Sequence, residues 1–143
     1  MRLPVLASVC IASFGAACGS PSTAGSPVGP DPAAVGPFED EADYRAQRRE
    51  TEAALQAAIG DAAAPDLSAC RVVPTSEQAC GGPTTFAVYS ASASDAAEVE
   101  RLAQRLVALD EQANGQFEWV STCMAYGPPT PQLRDGRCVD PTE

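Results

Sequence analysis

Histidine is absent from the 143 residues of this chain. Its absence excludes Ser-His-Asp triads, histidine general bases poised near neutral pH, and imidazole metal sites. Positive charge is scarce too. Nine basic residues stand against nineteen acidic ones, giving a formal net charge of −10 at pH 7 and a pI near 4.3. Recognition of a phosphate backbone needs a basic footprint, so nucleic acid is excluded as a partner. The same balance opposes electrostatic docking on anionic lipid. Aromatic residues make up 6% of the chain, and large apolar residues are sparse enough that any core would be thin. No two cysteines have C-x-x-C spacing, which removes the common dithiol redox motif. The length allows one domain, or a small domain with tails.

What is present begins at the N-terminus. Met1-Arg2 places one positive charge ahead of Leu3–Ala17, where Val5, Leu6, Val9, Ile11 and Phe14 supply apolar weight and Gly15-Ala16-Ala17 supplies small residues. A charged start, an apolar run and a small-residue exit describe a secretory signal peptide over 1–17. The run is about fifteen residues and contains Pro4, short of the ~20 that a membrane-spanning helix needs.

Gly15-Ala16-Ala17-Cys18 resembles the lipobox of bacterial lipoproteins, with Gly15 where that family usually carries Leu or another aliphatic residue. The resemblance implies cleavage before Cys18 and lipid attached to its thiol. Family members carry at least two acyl chains, and two chains hold stably where one binds reversibly. Gly19, in place of aspartate, implies the outer rather than the inner membrane of a Gram-negative envelope. The folded part would then lie in the periplasm or at the cell surface. The competing account is an ordinary secreted protein cut near Ala17, with Cys18 a free thiol. Cys10 interrupts the apolar run and is the poorer lipidation site.

Residues 18–37 carry Pro21, Gly25, Pro27, Gly29, Pro30, Pro32, Gly36 and Pro37 among small and polar residues. Such composition cannot bury enough apolar area to offset ordering entropy, so this stretch reads as a disordered linker. As a flexible coil it would reach roughly 25 Å. Pro27 and Pro30 have PxxP spacing but no flanking basic residue.

Residues 38–60 read as an N-terminal helix. Glu39 or Asp40 would open it, acids crowd its first turn, and Gly60 would close it. Its apolar face is thin, resting on Tyr44, Leu55 and Ile59, as expected of an arm docked loosely on the rest. Residues 61–143 read as the main domain. Cys70–Val73 and Thr84–Ser90 are strand segments, separated by a turn-rich stretch containing Cys80-Gly81-Gly82-Pro83. Asp95–Asn114 carries Val99, Leu102, Ala103, Leu106 and Leu109 on one helical face. Asp95 and Glu98 form a capping box, and Asn114-Gly115 a left-handed stop. Phe117–Tyr126 is a further strand-prone aromatic run, broken by Pro128, Pro129 and Pro131. Gln132–Val139 offers a hairpin turning at Asp135-Gly136. This order predicts an α+β fold: a small antiparallel sheet packed by two helices, stapled by two disulfides, behind the linker.

With Cys10 in the signal and Cys18 as anchor, Cys70, Cys80, Cys123 and Cys138 remain. Four cysteines in an exported domain read as two disulfides, with three pairings open. Local pairing, Cys70 with Cys80 and Cys123 with Cys138, brackets two turns and is favoured; loops that short would contribute about 3 kcal/mol each. A Cys₄ zinc site is the alternative, but neither intracysteine spacing matches C-x₂₋₄-C.

Weaker signals remain. Asp110, Gln112, Asn114, Gly115 and Glu118 echo a calcium loop that lacks its terminal bidentate acid; a capped helix end explains the same residues. Gly81-Gly82 could form an anion nest or simply a turn. Glu39/Glu41 and Glu98/Glu100 are acid pairs on expected wet helix faces. Tyr89, Phe117, Trp119 and Tyr126 suit a ligand patch or an aromatic core. The Cys70–Cys138 region, with Cys80-Gly81-Gly82-Pro83, Val88-Tyr89-Ser90 and Gly136-Arg137-Cys138, resembles small uncharacterised exported proteins of Gram-negative bacteria. That resemblance implies structural cysteines and no activity. No cofactor or metal motif is present. The chain therefore reads as a non-enzymatic envelope lipoprotein, a structural or interaction module attached to the membrane by lipid and serving an envelope protein partner. The alternatives are a binding module (inhibitor or small-ligand carrier) using the 127–135 loop, and an enzyme built on two converging carboxylates.

Overall fold

The structure, a computed structural model, describes residues 34–124 and 126–142. The expected signal peptide, Cys18 and all but the last residues of the linker lie outside the described residues. The first helix, α1, spans Glu41–Ile59. Asp40 caps it by accepting from the Asp43 N–H at 2.9 Å, and Glu41 and Asp43 place negative charge at the positive end of its dipole. Gly60 ends it at φ 64°, a backbone conformation that glycine adopts without a Cβ penalty. Its buried face is Tyr44, Thr51, Leu55 and Ile59.

A single 3-10 turn, Leu67–Ala69, leads into β1, Cys70–Pro74. This strand pairs antiparallel with β2, Phe86–Ser90, in a register setting Cys70 opposite Ser90 and Pro74 opposite Phe86. The second helix, α2, spans Ala96–Gln116 and is capped by Asp95. It buries Val99, Leu102, Ala103, Leu106, Leu109 and Ala113, the stripe legible in the sequence with one further turn. Strands β3, Gln132–Arg134, and β4, Arg137–Val139, form the C-terminal hairpin. Asp135 and Gly136 both have positive φ, 50° and 72°, as a two-residue turn of this kind requires. Gly136 C=O accepts from the Ala64 N–H at 2.8 Å, and Cys138 N–H donates to Ala62 C=O at 3.0 Å, which seats the hairpin on the segment after α1.

The expected α+β architecture is therefore present: two helices on small antiparallel pairs, with Tyr89, Val99, Leu106 and Leu109 fully buried at the centre. Three details differ from expectation. The first helix is no loose arm; it packs along α2 and contributes Tyr44, Leu55 and Ile59 to the shared core. The second helix runs through Asn114-Gly115 rather than stopping there: the left-handed residue is Glu118, at φ 51°, and the Asn114 C=O accepts from the Trp119 N–H at 3.2 Å while its side-chain amide donates to Glu77 C=O at 2.9 Å. Finally, Phe117–Tyr126 forms no strand among its described residues. Phe117 and Trp119 turn inward, their rings 5.3 Å apart, and Trp119 meets Tyr44 edge-on at 5.3 Å while Phe117 stacks near Phe38 at 6.2 Å. Aromatic burial, not strand pairing, is what those residues are for.

Candidate functional site

Two constellations stand out, one buried and one exposed. The buried one was not singled out from the sequence. Asp110 is 6% exposed, on the face of α2 that meets α1. Its Oδ1 accepts from the Tyr44 hydroxyl at 2.8 Å and from Arg48 Nε at 2.9 Å, while Oδ2 accepts from the Glu77 N–H at 3.0 Å. Arg48 also reaches Glu52 and the Thr75 carbonyl. Burial, reinforced by the hydrogen bond to Asp110, pushes the Tyr44 phenol up to about 12. Burial alone would lower Arg48, but its bonding and attraction to Asp110 outweigh that and hold the guanidinium above its ordinary value. Three protein donors therefore converge on the two carboxylate oxygens of Asp110. The cluster ties α1, α2 and the 75–77 segment together. One sequence signal could have found it: Arg48 and Asp110 are charges set within the otherwise apolar stripes of their helices.

The calcium-loop echo dissolves here, because Asp110, Gln112, Asn114 and Gly115 are all helical and Asp110 is committed to Tyr44 and Arg48. Gly81 and Gly82 build a turn, not an open nest: Gly81 N–H donates to Gln78 C=O, and Gly82 N–H to the Glu77 carboxylate. Glu98 is paired with Arg101, and Glu100 accepts from the Tyr89 hydroxyl. A cleft of about 690 Å³ adjoins the buried cluster, lined by Arg48, Glu52, Thr75, Thr85, Arg134 and Asp140 among others. Its cations are already engaged, Arg48 by Asp110 and Arg134 by the Gln132 side chain.

The exposed constellation is built on the cysteines. Cys70 bonds to Cys138, with Cα atoms 5.5 Å apart and a sequence separation of 68; Cys80 bonds to Cys123 at 5.3 Å and a separation of 43. This corrects the expected local pairing. The strand beginning at Cys70 carries the chain roughly 13 Å away before the turn that holds Cys80, at ~3.3 Å per residue, while the C-terminal hairpin returns Cys138 to the start of β1. All four cysteines are thus oxidised, and none is left in the domain to ligate zinc. Both bridges join the 70–80 region to the 123–138 region, and two such bridges place the folded domain in an oxidising, extracytoplasmic compartment. No described helix is long and apolar enough to cross a membrane.

Between Trp119 and β3 the chain runs without regular structure. Val120 is 94% exposed, Met124 56% and Tyr126 49%, which makes this segment the main site of large exposed apolar side chains. Its described residues from Thr122 to Pro128 are all exposed. Cys123 sits in the left-handed region at φ 55°, a conformation costing a non-glycine residue about 1–2 kcal/mol. The Cys80 bridge holds that bend, Gln78 Nε2 donates to Met124 C=O at 2.8 Å, and Cys80 N–H reaches Ser121 Oγ at 3.3 Å. The expected aromatic patch is divided: Tyr89 is core, Phe117 and Trp119 are half-buried, and only Tyr126 faces outward. Of the 127–135 stretch, 132–135 belong to the hairpin, and the exposed Val120, Met124 and Tyr126 precede it. No protein-family model, curated protein or solved structure matches this chain.

Proposed function

We propose that this protein is a lipid-anchored interaction module of the bacterial envelope, held to the membrane at Cys18 and docking to an envelope protein through the cystine-braced loop 120–131. One observation carries the docking assignment. Val120, Met124 and Tyr126 are exposed together on a segment whose bend is covalently fixed, and large apolar side chains displayed in that way are a binding surface's signature. A braced loop loses little conformational entropy when it binds. The anchor rests on Gly15-Ala16-Ala17-Cys18 behind an apolar run, with the Pro/Gly/Ser-rich stretch 18–37 as spacer. The disulfides fit the same compartment.

The test has two arms. Intact mass of the protein extracted from membranes is expected to begin at Cys18 with acyl chains added, and four cysteines are expected to alkylate only after reduction. An unlipidated mass sinks the anchor. In-cell cross-linking is then expected to yield one stoichiometric envelope partner, lost when Val120, Met124 and Tyr126 are replaced by Ser. A cross-linking pattern unchanged by that replacement sinks the loop as docking site.

A further inference from the structure

The sheet formed by β1 and β2 has one edge whose backbone is left unpaired. Thr75 N–H donates to Thr85 C=O at 3.0 Å and Ala91 N–H to Ala69 C=O at 2.9 Å, just beyond the two ends of the paired register. Hydrogen-bonded pairs alternate along an antiparallel ladder, so Val73–Ala87 and Arg71–Tyr89 are the bonded pairs between them. The N–H and C=O groups of Phe86 and Val88 therefore point away from β1, and among the described residues nothing bonds to them. The free run ends at Ser90, whose carbonyl accepts from the Ala93 and Ser94 N–H groups. Two donors and two acceptors in extended backbone are what an added strand pairs with.

This edge opens into the cleft of about 690 Å³ beside the buried cluster. Thr85, Phe86, Ala87 and Val88 all line it. Successive strand side chains point to opposite faces, so four consecutive residues meet one cavity along their backbone edge. The facing wall is a stripe of α1 from Arg48 to Ile59 that includes Leu55, and Val139 and Asp140 close the side. That stripe rises about 16 Å along the helix, the length of about five residues of extended chain. Flanked by α1 and the hairpin, the edge admits one extended chain but not the edge of a second folded copy. The charges of the cleft are balanced, Arg48 and Arg134 against Glu52 and Asp140, and both cations are engaged within the molecule. Charge complementarity therefore selects a neutral occupant.

We propose that an extended, uncharged segment of a partner protein, about five residues long and apolar at alternate positions, adds to β2 as a third strand in this cleft. Its backbone pairs with the N–H and C=O groups of Phe86 and Val88. Its apolar side chains lie over Leu55 and Ile59, and the residues between them face solvent. The site is separate from the loop 120–131 and does not rest on that assignment.

The experiment follows amide hydrogen exchange in the membrane-extracted protein with its disulfides intact, and uses the same protein to select binders from a phage-displayed library of linear heptapeptides. Without peptide, the Phe86 and Val88 amides are expected to exchange fast and those of Ala87 and Tyr89 slowly. Selected peptides, made synthetically, are expected to be uncharged, to bind one per chain and to slow exchange at Phe86 and Val88. Val88→Pro removes an N–H that the β1 ladder does not use, so thermal unfolding should stay close to the parent's. Peptide binding should weaken at least ~10-fold, the scale of one lost hydrogen bond. Gln56→Trp narrows the cleft from the α1 wall without touching the sheet; it should also weaken binding, and it keeps the test decisive where proline unsettles β2. Replacing Val120, Met124 and Tyr126 by Ser should leave peptide binding unchanged, which separates failure here from failure of the loop. A library that yields no binder, binders that leave Phe86 and Val88 exchange unaltered, or binding undiminished in both cleft variants overturns the proposal. Slow exchange at Phe86 and Val88 without peptide overturns it too. If that protection is lost on dilution, a second copy is the occupant; if it is lost on deletion of residues 19–33, the chain's own linker is.

Discussion

The two disulfides are expected to differ sharply in reducibility. Cys70 and Cys138 are 6% and 4% exposed, at the base of β1 and within the seated hairpin, whereas Cys80 and Cys123 both lie at the surface. Exchange requires a thiolate to reach a disulfide sulfur directly. The outer bridge is open to attack in the native state; the buried one must wait for the hairpin to leave Ala62 and Ala64. If that opening costs about 4 kcal/mol, the buried bridge reacts roughly a thousand-fold more slowly, at 1.4 kcal/mol per decade. Titration with dithiothreitol, followed by alkylation and peptide mass mapping, should therefore label Cys80 and Cys123 well before Cys70 and Cys138. The stability consequence follows from loop length. Closing 43 residues contributes at most about 4 kcal/mol by chain entropy. For the 108 described residues, at ~2.1 cal/mol/K each, that is a fall in Tm of roughly 17 °C at the upper limit. Helix content should hardly change, since α1 and α2 bury their faces against each other without help from the loop. Simultaneous labelling of all four cysteines, or earlier labelling of Cys70 and Cys138, would refute the burial argument.

Three other outcomes are expected. Tyr44→Phe removes a hydrogen bond to a charged acceptor and should cost about 1.5–3 kcal/mol in urea unfolding. Because the folded phenol titrates near 12 against an ordinary 10.0, the parent's contribution from Tyr44 is complete below pH 10 and is lost as pH rises towards 12; the variant should lack that part of the alkaline decline, and identical alkaline profiles would contradict the assignment. Asp110→Asn takes from half-buried Arg48 its buried carboxylate, leaving only the more exposed Glu52, and is expected to cost about 3 kcal/mol, with loss confined to stability and none in loop recognition. Leu109→Ala, at a position with no exposure, should cost about 3 kcal/mol by calorimetry.

What the sequence made legible was whatever local chemistry decides. The stripe Val99, Leu102, Leu106 and Leu109, the caps Asp40 and Asp95, and the Asp135-Gly136 turn each announce an element within a few residues, and each is found. Long-range choices were not legible. Asn114-Gly115 reads as a stop, yet the left-handed residue is Glu118, three residues beyond Gly115, and the Asn114 amide reaches Glu77 from within the helix. Phe117 and Trp119 have strand propensity, yet Phe38 and Tyr44, some seventy residues earlier, offer them rings to pack against. Cysteine pairing followed the fold rather than the spacing: once β1 and β2 pair and the hairpin seats on Ala62 and Ala64, Cys138 is carried to Cys70 and only Cys80 remains for Cys123. The exposed site was half legible. The proline-rich break after Tyr126 was anticipated, but the cystine expected beside it was Cys123–Cys138 rather than Cys80–Cys123, and the knobs Val120, Met124 and Tyr126 were assigned to a strand that does not form.

The corrected pairing also explains how an irregular, apolar-tipped loop can coexist with so small a core. Helix α2 and the β1–β2 pair are stabilised by burial: Val99, Leu106, Leu109 and Tyr89 have almost no exposure. The segment after α2 buries far less, chiefly the half-covered Phe117 and Trp119 and the Cys138 bridge. Ordering backbone costs about 1–2 kcal/mol per residue, and a loop without ladder hydrogen bonds or core contacts has little to set against that. Local disulfides would have closed small loops within each half and left the two halves to find each other by packing alone. The observed bridges instead join the first half to the last at two separate points, so the ends of the loop are positioned by covalent bonds whatever residues lie at its crest. Side chains there are released from any duty to the core. That freedom is what allows Val120, Met124 and Tyr126 to face solvent in a folded domain.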